Sequence, residues 1–331
     1  MSSTVGSKPV YDVLIVGCGA IAGGYDRADA SSKDVLTHAK AFTTHPGFRV
    51  VACVEPDDAR RRAFQDRWGI AGGYADLAQV DVPFDVASLC TPTEHHAEGL
   101  EPLLNMAPKL VFAEKPVTDD LALTRELVAA YGVRGIPLCV NYLRRWAPGI
   151  VALRDEIARG EWGALRRGIA HYTKGLLNNG SHMVDVLNFL VGPVSAVARH
   201  GAVEDGRPYD PTEDALMTAA GGAPIHLMAA NADDFTIFEL DLLFAKGRVT
   251  LTDSMFTILR RWAEPSDRFA GYTMLGEAAI QPTGLERALM GAADNIYRHL
   301  AHGEPLASDG RSALAAQEIC TKLASLPQTV F

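Results

Sequence analysis

Short β-branched apolar runs alternate with stretches of helical periodicity over the first 140 or so residues. YDVLIVG (11–17), FRVVACV (48–54), FDVASLC (84–90), KLVFAE (109–114) and IPLCVNY (136–142) predict strands. Between them LTHAKAFTTH, DDARRRAFQDRWG, TEHHAEGLEPLLN and TDDLALTRELVAAYG predict helices. Such alternation implies right-handed crossovers and a parallel sheet covered on both faces, with ligands outside the carboxyl ends of its strands. After about Trp146 the rhythm changes. A helix (APGIVALRDEIARG), a strand (ALRRGIAHYTKG) and a second helix (LLNNGSHMVDVLNFLVG) lead into DALMTAA, PIHLMAA, FTIFELDLLFA, GRVTLTD and FTILRRW. Those runs, joined by Gly, Asp and Pro turns, predict an antiparallel sheet, and LERALMGAADNIYRHLAHG and DGRSALAAQEICTKLASL return to helix.

Composition narrows the partners. The 331 residues carry 31 basic against 40 acidic side chains, a net charge of -9 without a basic cluster. That excludes nucleic acid, whose phosphates need concentrated positive charge. No run is long and apolar enough to span a bilayer, and the start has no charged segment followed by a cleavage pattern, so a cytoplasmic protein is expected. The cysteines Cys18, Cys53, Cys90, Cys139 and Cys320 are scattered and lack the close pairing of zinc sites; they read as buried small hydrophobes, and no metal site is expected.

VGCGAIAGG, from Val16, follows the first strand and should open a helix. Gly17, Cys18, Gly19, Ala20 and Ile21 can turn the chain tightly and bring backbone N–H groups to a pyrophosphate at the helix start, with Ala22 at the third fingerprint position. Glu55, ending the second strand, suits the adenosine ribose hydroxyls and repels a 2′-phosphate, which favours NAD; Arg60, Arg61 and Arg62 keep NADP open. The gap from Gly19 to Glu55 is 36 residues, against about 20 in the common pattern. The excess lies in GYDRADASSKDV, about residues 25–35, a lid over the cofactor or a plain surface loop.

Further chemistry follows later strands. CTPTEHH puts Thr91 and Pro92 at one strand end, and FAEKPV puts Glu114 and Lys115 at another, where a lysine could polarise a hydroxyl or carbonyl oxygen. Together GCGAIAG, CTPTEHH, AEKPV, NYLRRWAP and NNGSHMVD, in this order, resemble the Gfo/Idh/MocA family of nicotinamide-dependent sugar oxidoreductases. The resemblance implies an α/β Rossmann domain with a doubly wound parallel sheet over 1–142, onto which the C-terminal helices can pack back. It also implies an α+β domain over 143–331 whose large, mostly antiparallel open sheet binds substrate and carries a homodimer or homotetramer interface. The implied reaction moves a hydride between NAD(P) and a hydroxyl or carbonyl carbon of a sugar, cyclic polyol or nucleotide sugar. Reduction of a non-sugar ketone or imine on the same fold, and a non-catalytic dinucleotide sensor with a protein partner, are the alternatives. Matched residue by residue, Lys115 is the implied catalytic lysine, also beside the cofactor, and His182 the proton carrier. Asp185 is implied to contact substrate or support the histidine, and Asn141 and Arg145 to lie near the substrate. Where many members have aspartate four residues before the histidine, this chain has Asn178, which cannot take a proton.

The short link HYTKGLLNNGSH brings Tyr172 and Lys174 near the cleft in sequence, as candidate contacts to a phosphate or carboxylate. On a helix of ~100° per residue, Asn178, His182, Asp185 and Phe189 span an arc of roughly 60°, away from the apolar side. Alternatively Asn178, Asn179 or Ser181 is the N-cap, in which case Asn178 lies before the helix and drops out of that arc. A histidine in the first turn feels the positive end of the macrodipole, which favours its neutral form, whereas Asp185 acts oppositely.

Overall fold

Val13, Leu14 and Ile15 have no exposed surface. A strand covered on both faces has no solvent side, so YDVLIV carries apolar residues consecutively rather than alternately. The computed structural model describes residues 8–26, 32–203 and 209–329. It divides into two units, residues 1–143 with 286–314 and residues 144–285 with 315–331.

The first unit holds a parallel sheet of β1 (Tyr11–Val16), β2 (Phe48–Val54), β3 (Gly72–Tyr74), β4 (Val86–Leu89), β5 (Leu110–Ala113) and β6 (Leu138–Val140). Its order, β3-β2-β1-β4-β5-β6, is that of the doubly wound dinucleotide fold. The strand β3 has no apolar run to announce it; GGY pairs with β2 by backbone, and a Cβ on Gly72 would lie 2.8 Å from that of Ala52. The crossover helices are α1 (His38–Thr44), α2 (Asp58–Trp68), α3 (His96–Met106) and α4 (Leu121–Arg134). Asp57 and Asp120 cap α2 and α4 by accepting the N–H three residues on, and left-handed Gly69 and Gly135 end them.

The glycine loop does not open a long helix as expected. It makes one π turn, Ala20–Gly24, and the next helix among the described residues starts at His38. Part of the inserted segment, 27–31, lies outside the described residues. Its flanks are tied by Asp26, 2% exposed, which accepts the Leu36 N–H at 3.1 Å and the Thr37 hydroxyl at 2.6 Å. Thr37 in turn caps α1.

In the second unit, α5 (Pro148–Ala158) precedes β7 (Leu165–Tyr172) and α6 (Ser181–Val191). There follow β8 (Val194–Val203), β9 (Thr212–Ala219), β10 (Pro224–Ala229), β11 (Phe238–Phe244), β12 (Gly247–Thr252), β13 (Thr257–Pro265), β14 (Thr273–Leu275) and β15 (Ala279–Pro282). These and β7 form a nine-stranded sheet in which β10 and β7 pair in parallel and the other neighbours are antiparallel. Alternate residues of β11 and β12 are buried, so the sheet has one core face and one outer face. The chain ends in α7 (Ala288–His302) and α8 (Gly310–Ser325). No helix among the described residues is long and apolar enough to cross a membrane.

Candidate functional site

The carboxyl ends of β1, β2 and β4 open onto a cleft of about 1110 Å³ lined by Gly17, Gly19, Ala20, Ile21, Glu55, Arg60, Thr91 and Pro92 among others. Gly17 has φ +87°, and a Cβ there would come within 2.9 Å of the Thr91 nitrogen, so two strand-end loops meet where only glycine fits. The close packing expected of the third fingerprint residue falls instead on Gly23, whose Cβ would lie 2.3 Å from Trp68 Nε1 on α2. Glu55 is buried, and its carboxylate accepts the N–H groups of Cys18 and Asp57, each at 3.1 Å. Cys18 is itself buried, so its part in the cradle is its backbone amide. Arg60 Nη1 stands 3.3 Å from Glu55 on the cleft wall, whereas Arg61 and Arg62 turn to Asp58.

A buried polar cluster that the sequence did not disclose sits beyond β5 and β6. His38, fully buried and stacked on Phe112, lies 2.7 Å from Ser88 Oγ and 3.0 Å from Glu114 Oε1. Burial disfavours charge on His38, but the neighbouring Cys90 and Glu114 outweigh it and raise its pKa to about 10. Against its own burial, Glu114 is held below the usual carboxylate range by His38, Asn141 and Lys115. Asn141 donates Nδ2–H to Glu114 at 2.6 Å, which fixes the orientation of its amide. Its Oδ1 is then buried with no partner among the described residues, as is Thr91 Oγ1. Two such orphaned atoms, past the carboxyl ends of β4 and β6, are what a group not made of protein would satisfy. Lys115 is half-buried, and its backbone N–H donates to Glu114 Oε2 at 3.3 Å. His96 ties the loops after β4 and β5 together, with ring nitrogens 3.0 Å from Thr91 O and 2.7 Å from Pro116 O. The one sequence signal for His38 was a histidine among the apolar positions of LTHAKAF.

In the second unit the helix carrying His182 starts earlier than expected. A π turn, Gly175–Gly180, runs directly into α6, so His182 is not in the first turn and the macrodipole argument does not apply to it. None of Asn178, Asn179 and Ser181 is the cap. The Gly175 N–H donates to Thr212 Oγ1, that of Leu176 to Pro211 O, and those of Leu177 and Asn178 to the Asp210 carboxylate at 2.7 and 2.9 Å. A carboxylate therefore does reach this turn, from residue 210, bound to backbone rather than placed on the helix. Asn178 also donates Nδ2–H to Lys174 O at 3.1 Å, and Lys174 is held in the left-handed region at φ 68°. Gly175, at φ +89°, would put a Cβ 2.1 Å from Asp210 Oδ2. Gly175→Ala is therefore expected to cost roughly 1–3 kcal/mol, read as a shifted urea midpoint; an unshifted midpoint would show that Asp210 does not cap the turn.

Three expected substrate contacts are committed elsewhere. Tyr172 is fully buried, its hydroxyl donating to Glu213 O at 2.8 Å and accepting the Glu213 N–H at 2.9 Å, so it is a core residue. Arg145 Nε donates to both oxygens of Asp185 at 2.9 Å, and Nη2 lies 2.9 Å from Oδ1. With 1% of its side chain exposed, Asp185 is tied to this guanidinium and not to His182. His182 is half-buried, edge-on to Phe238 with ring centroids 6.4 Å apart.

A model of an oxidoreductase family with an NAD-binding Rossmann fold, Gfo/Idh/MocA, matches residues 11–142. Over these residues the chain is similar to the Gfo/Idh/MocA family. Inositol 2-dehydrogenase from Rhizobium meliloti (strain 1021) is 28% identical over 205 residues, and D-apiose dehydrogenase from Paraburkholderia graminis 26% over 217. These matches take in 56% and 60% of this chain and 62% and 54% of the relatives, less than two thirds of either. The WlbA dehydrogenase from Bordetella pertussis, solved with NADH and UDP-GlcNAcA, shares the fold at TM-score 0.78 and 18% identity, over 96% of this chain and 95% of that one. The Gfo/Idh/MocA match contains the glycine turn, Glu55, Thr91, Pro92, Glu114, Lys115 and Asn141. Arg145, Tyr172, Lys174, Asn178, His182 and Asp185 lie beyond it.

Proposed function

We propose that this protein is an NAD(P)-dependent oxidoreductase acting on a hydroxyl or carbonyl carbon of a sugar, cyclic polyol or nucleotide sugar, with NAD preferred. The observation that carries the reading is the glycine turn at β1, closed on Thr91 and flanked by buried Glu55. Residues 17–21 would hold the pyrophosphate, Glu55 the adenosine ribose, and Thr91 and Asn141, with their unsatisfied oxygens, the nicotinamide end. When bound, the nicotinamide supplies hydride transfer at its C4. Lys115 holds and polarises the reacting oxygen, and His182 takes or gives its proton. The names of two similar proteins, inositol 2-dehydrogenase and D-apiose dehydrogenase, support a polyol or sugar substrate.

The protein is proposed to act as a homodimer or homotetramer. On the sheet of the second unit Ile169, Val197, Met228, Leu243 and Ile280 are 37–65% exposed, a face suited to a second copy. Five free, buried thiols fit a reducing compartment such as the cytoplasm.

Fluorescence titration tests the cofactor reading. NADH should bind at least about 10-fold tighter than NADPH, because a 2′-phosphate would meet the Glu55 carboxylate, and Glu55→Gln should narrow that ratio. Equal or reversed affinities would place Arg60, not Glu55, in control; failure to bind either would remove the proposed activity.

A further inference from the structure

Arg144 is a half-buried cation without a counter-charge of its own. Its guanidinium carbon lies 3.9 Å over the Phe238 ring. Its side chain makes no hydrogen bond or ion pair among the described residues, and its Nε is buried without a partner. The acid whose field reaches it, Asp185, is already bound through both oxygens by Arg145. Burial lowers the Arg144 guanidinium to about 10, and Asp185 only partly offsets this.

Buried donors are satisfied in the great majority of cases, so the unpartnered Arg144 Nε is an exception that an acceptor would resolve. The aromatic contact does not remove the cost. A ring stacked on a guanidinium engages its face, whereas the N–H groups point outward in its plane. Phe238 therefore orients the fork and leaves its donors available. A planar fork of N–H groups matches carboxylate and phosphate oxygens in paired hydrogen bonds, which a lone hydroxyl cannot. His182 stands edge-on to the same ring, at 88° between planes.

We propose that Arg144 recognises an anionic group on the substrate, so that the substrate is a sugar or cyclic polyol bearing a carboxylate or phosphate. This deepens the proposed oxidoreductase and rests on it for the reaction. It also moves the anion contact, expected of Tyr172 and Lys174, to a residue the motif reading passed over.

Calorimetric titration of the full chain with bound NADH tests it, using D-glucuronate, glucose 6-phosphate, glucose and myo-inositol. The anionic probes should bind at least about 10-fold tighter than the neutral ones, and whichever is preferred separates carboxylate from phosphate. Arg144→Met, which keeps an unbranched stem on Phe238, should bring anionic and neutral probes to parity. Arg144→Gln provides the same comparison if the methionine variant does not fold. Neutral probes binding as tightly as anionic ones, no anionic probe binding, or a preference that survives either variant would overturn the assignment. Failure of NADH to bind would instead strike the oxidoreductase reading, and an anion preference abolished in Arg144→Met without cofactor would still support the arginine's role.

Discussion

Lys115→Met is expected to lower kcat by about 10²–10³ while the NADH dissociation constant stays within a few-fold of the wild type. The two readouts separate because different parts of the first unit carry them. NADH is proposed to rest on the glycine turn and on Glu55, whose carboxylate is fixed by the Cys18 and Asp57 amides without help from Lys115. Lys115 follows β5, and its backbone N–H is held by the Glu114 carboxylate, which His38 and Asn141 hold from the other side. That anchoring positions an ammonium at the carboxyl edge of the sheet. An ammonium so placed stabilises charge developing on oxygen, so its loss should lower kcat and kcat/KM together. Lys115→Arg should not restore the rate, because a guanidinium is a broader, delocalised fork rather than a point charge. Steady-state kinetics on any sugar the wild type oxidises or reduces checks this; turnover within about 3-fold of the wild type would remove Lys115 from the chemistry.

Much of the first unit was legible because its sheet is covered on both faces, which forces consecutive apolar residues such as Val13, Leu14 and Ile15. The motifs at its strand ends are contiguous in sequence, so glycine turn, Glu55, Thr91 and Glu114-Lys115 could be read together. The second unit hid more. VSAVARHGAV carries no clean strand pattern because Ser, Arg, His and Gly interrupt it, and β8 shifts register twice against β9. The cap of the His182 helix comes from residues 210–212, and no local pattern around Asn178 could disclose it. Tyr172 was a different kind of miss. Gly168, Ala170 and Tyr172 share the buried face of β7, so the period of two already turned the tyrosine inward. The spacing of His182 and Asp185 was visible, but the partner of Asp185 lies 40 residues upstream.

That partnership predicts the largest loss of stability. Asp185→Ala should cost about 3–5 kcal/mol, because it leaves the Arg145 guanidinium, 10% exposed, beside half-buried Arg144 with no carboxylate for either. A residue that merely contacted substrate would cost far less. Arg145→Met combined with Asp185→Leu should recover most of the loss, since replacing both charges by apolar groups also removes both desolvation penalties. The pH dependence gives an independent reading. Burial pushes the Asp185 carboxyl up to about 6, against the charges of Arg145 and Arg144, from the ordinary aspartate value of 3.8. Between those two values the folded protein holds a proton that the unfolded chain has released. The Asp185 contribution to stability therefore falls as pH rises across that window and is level above it. Urea midpoints of the wild type and Asp185→Asn, measured across about pH 4 to 7, should differ by an amount that changes mainly below about pH 6. A difference that instead grew in the wild type's favour with rising pH across this range would mean that the ion pair with Arg145 outweighs burial. In that case the pair would itself be a net source of stability rather than a desolvated constraint that fixes α6.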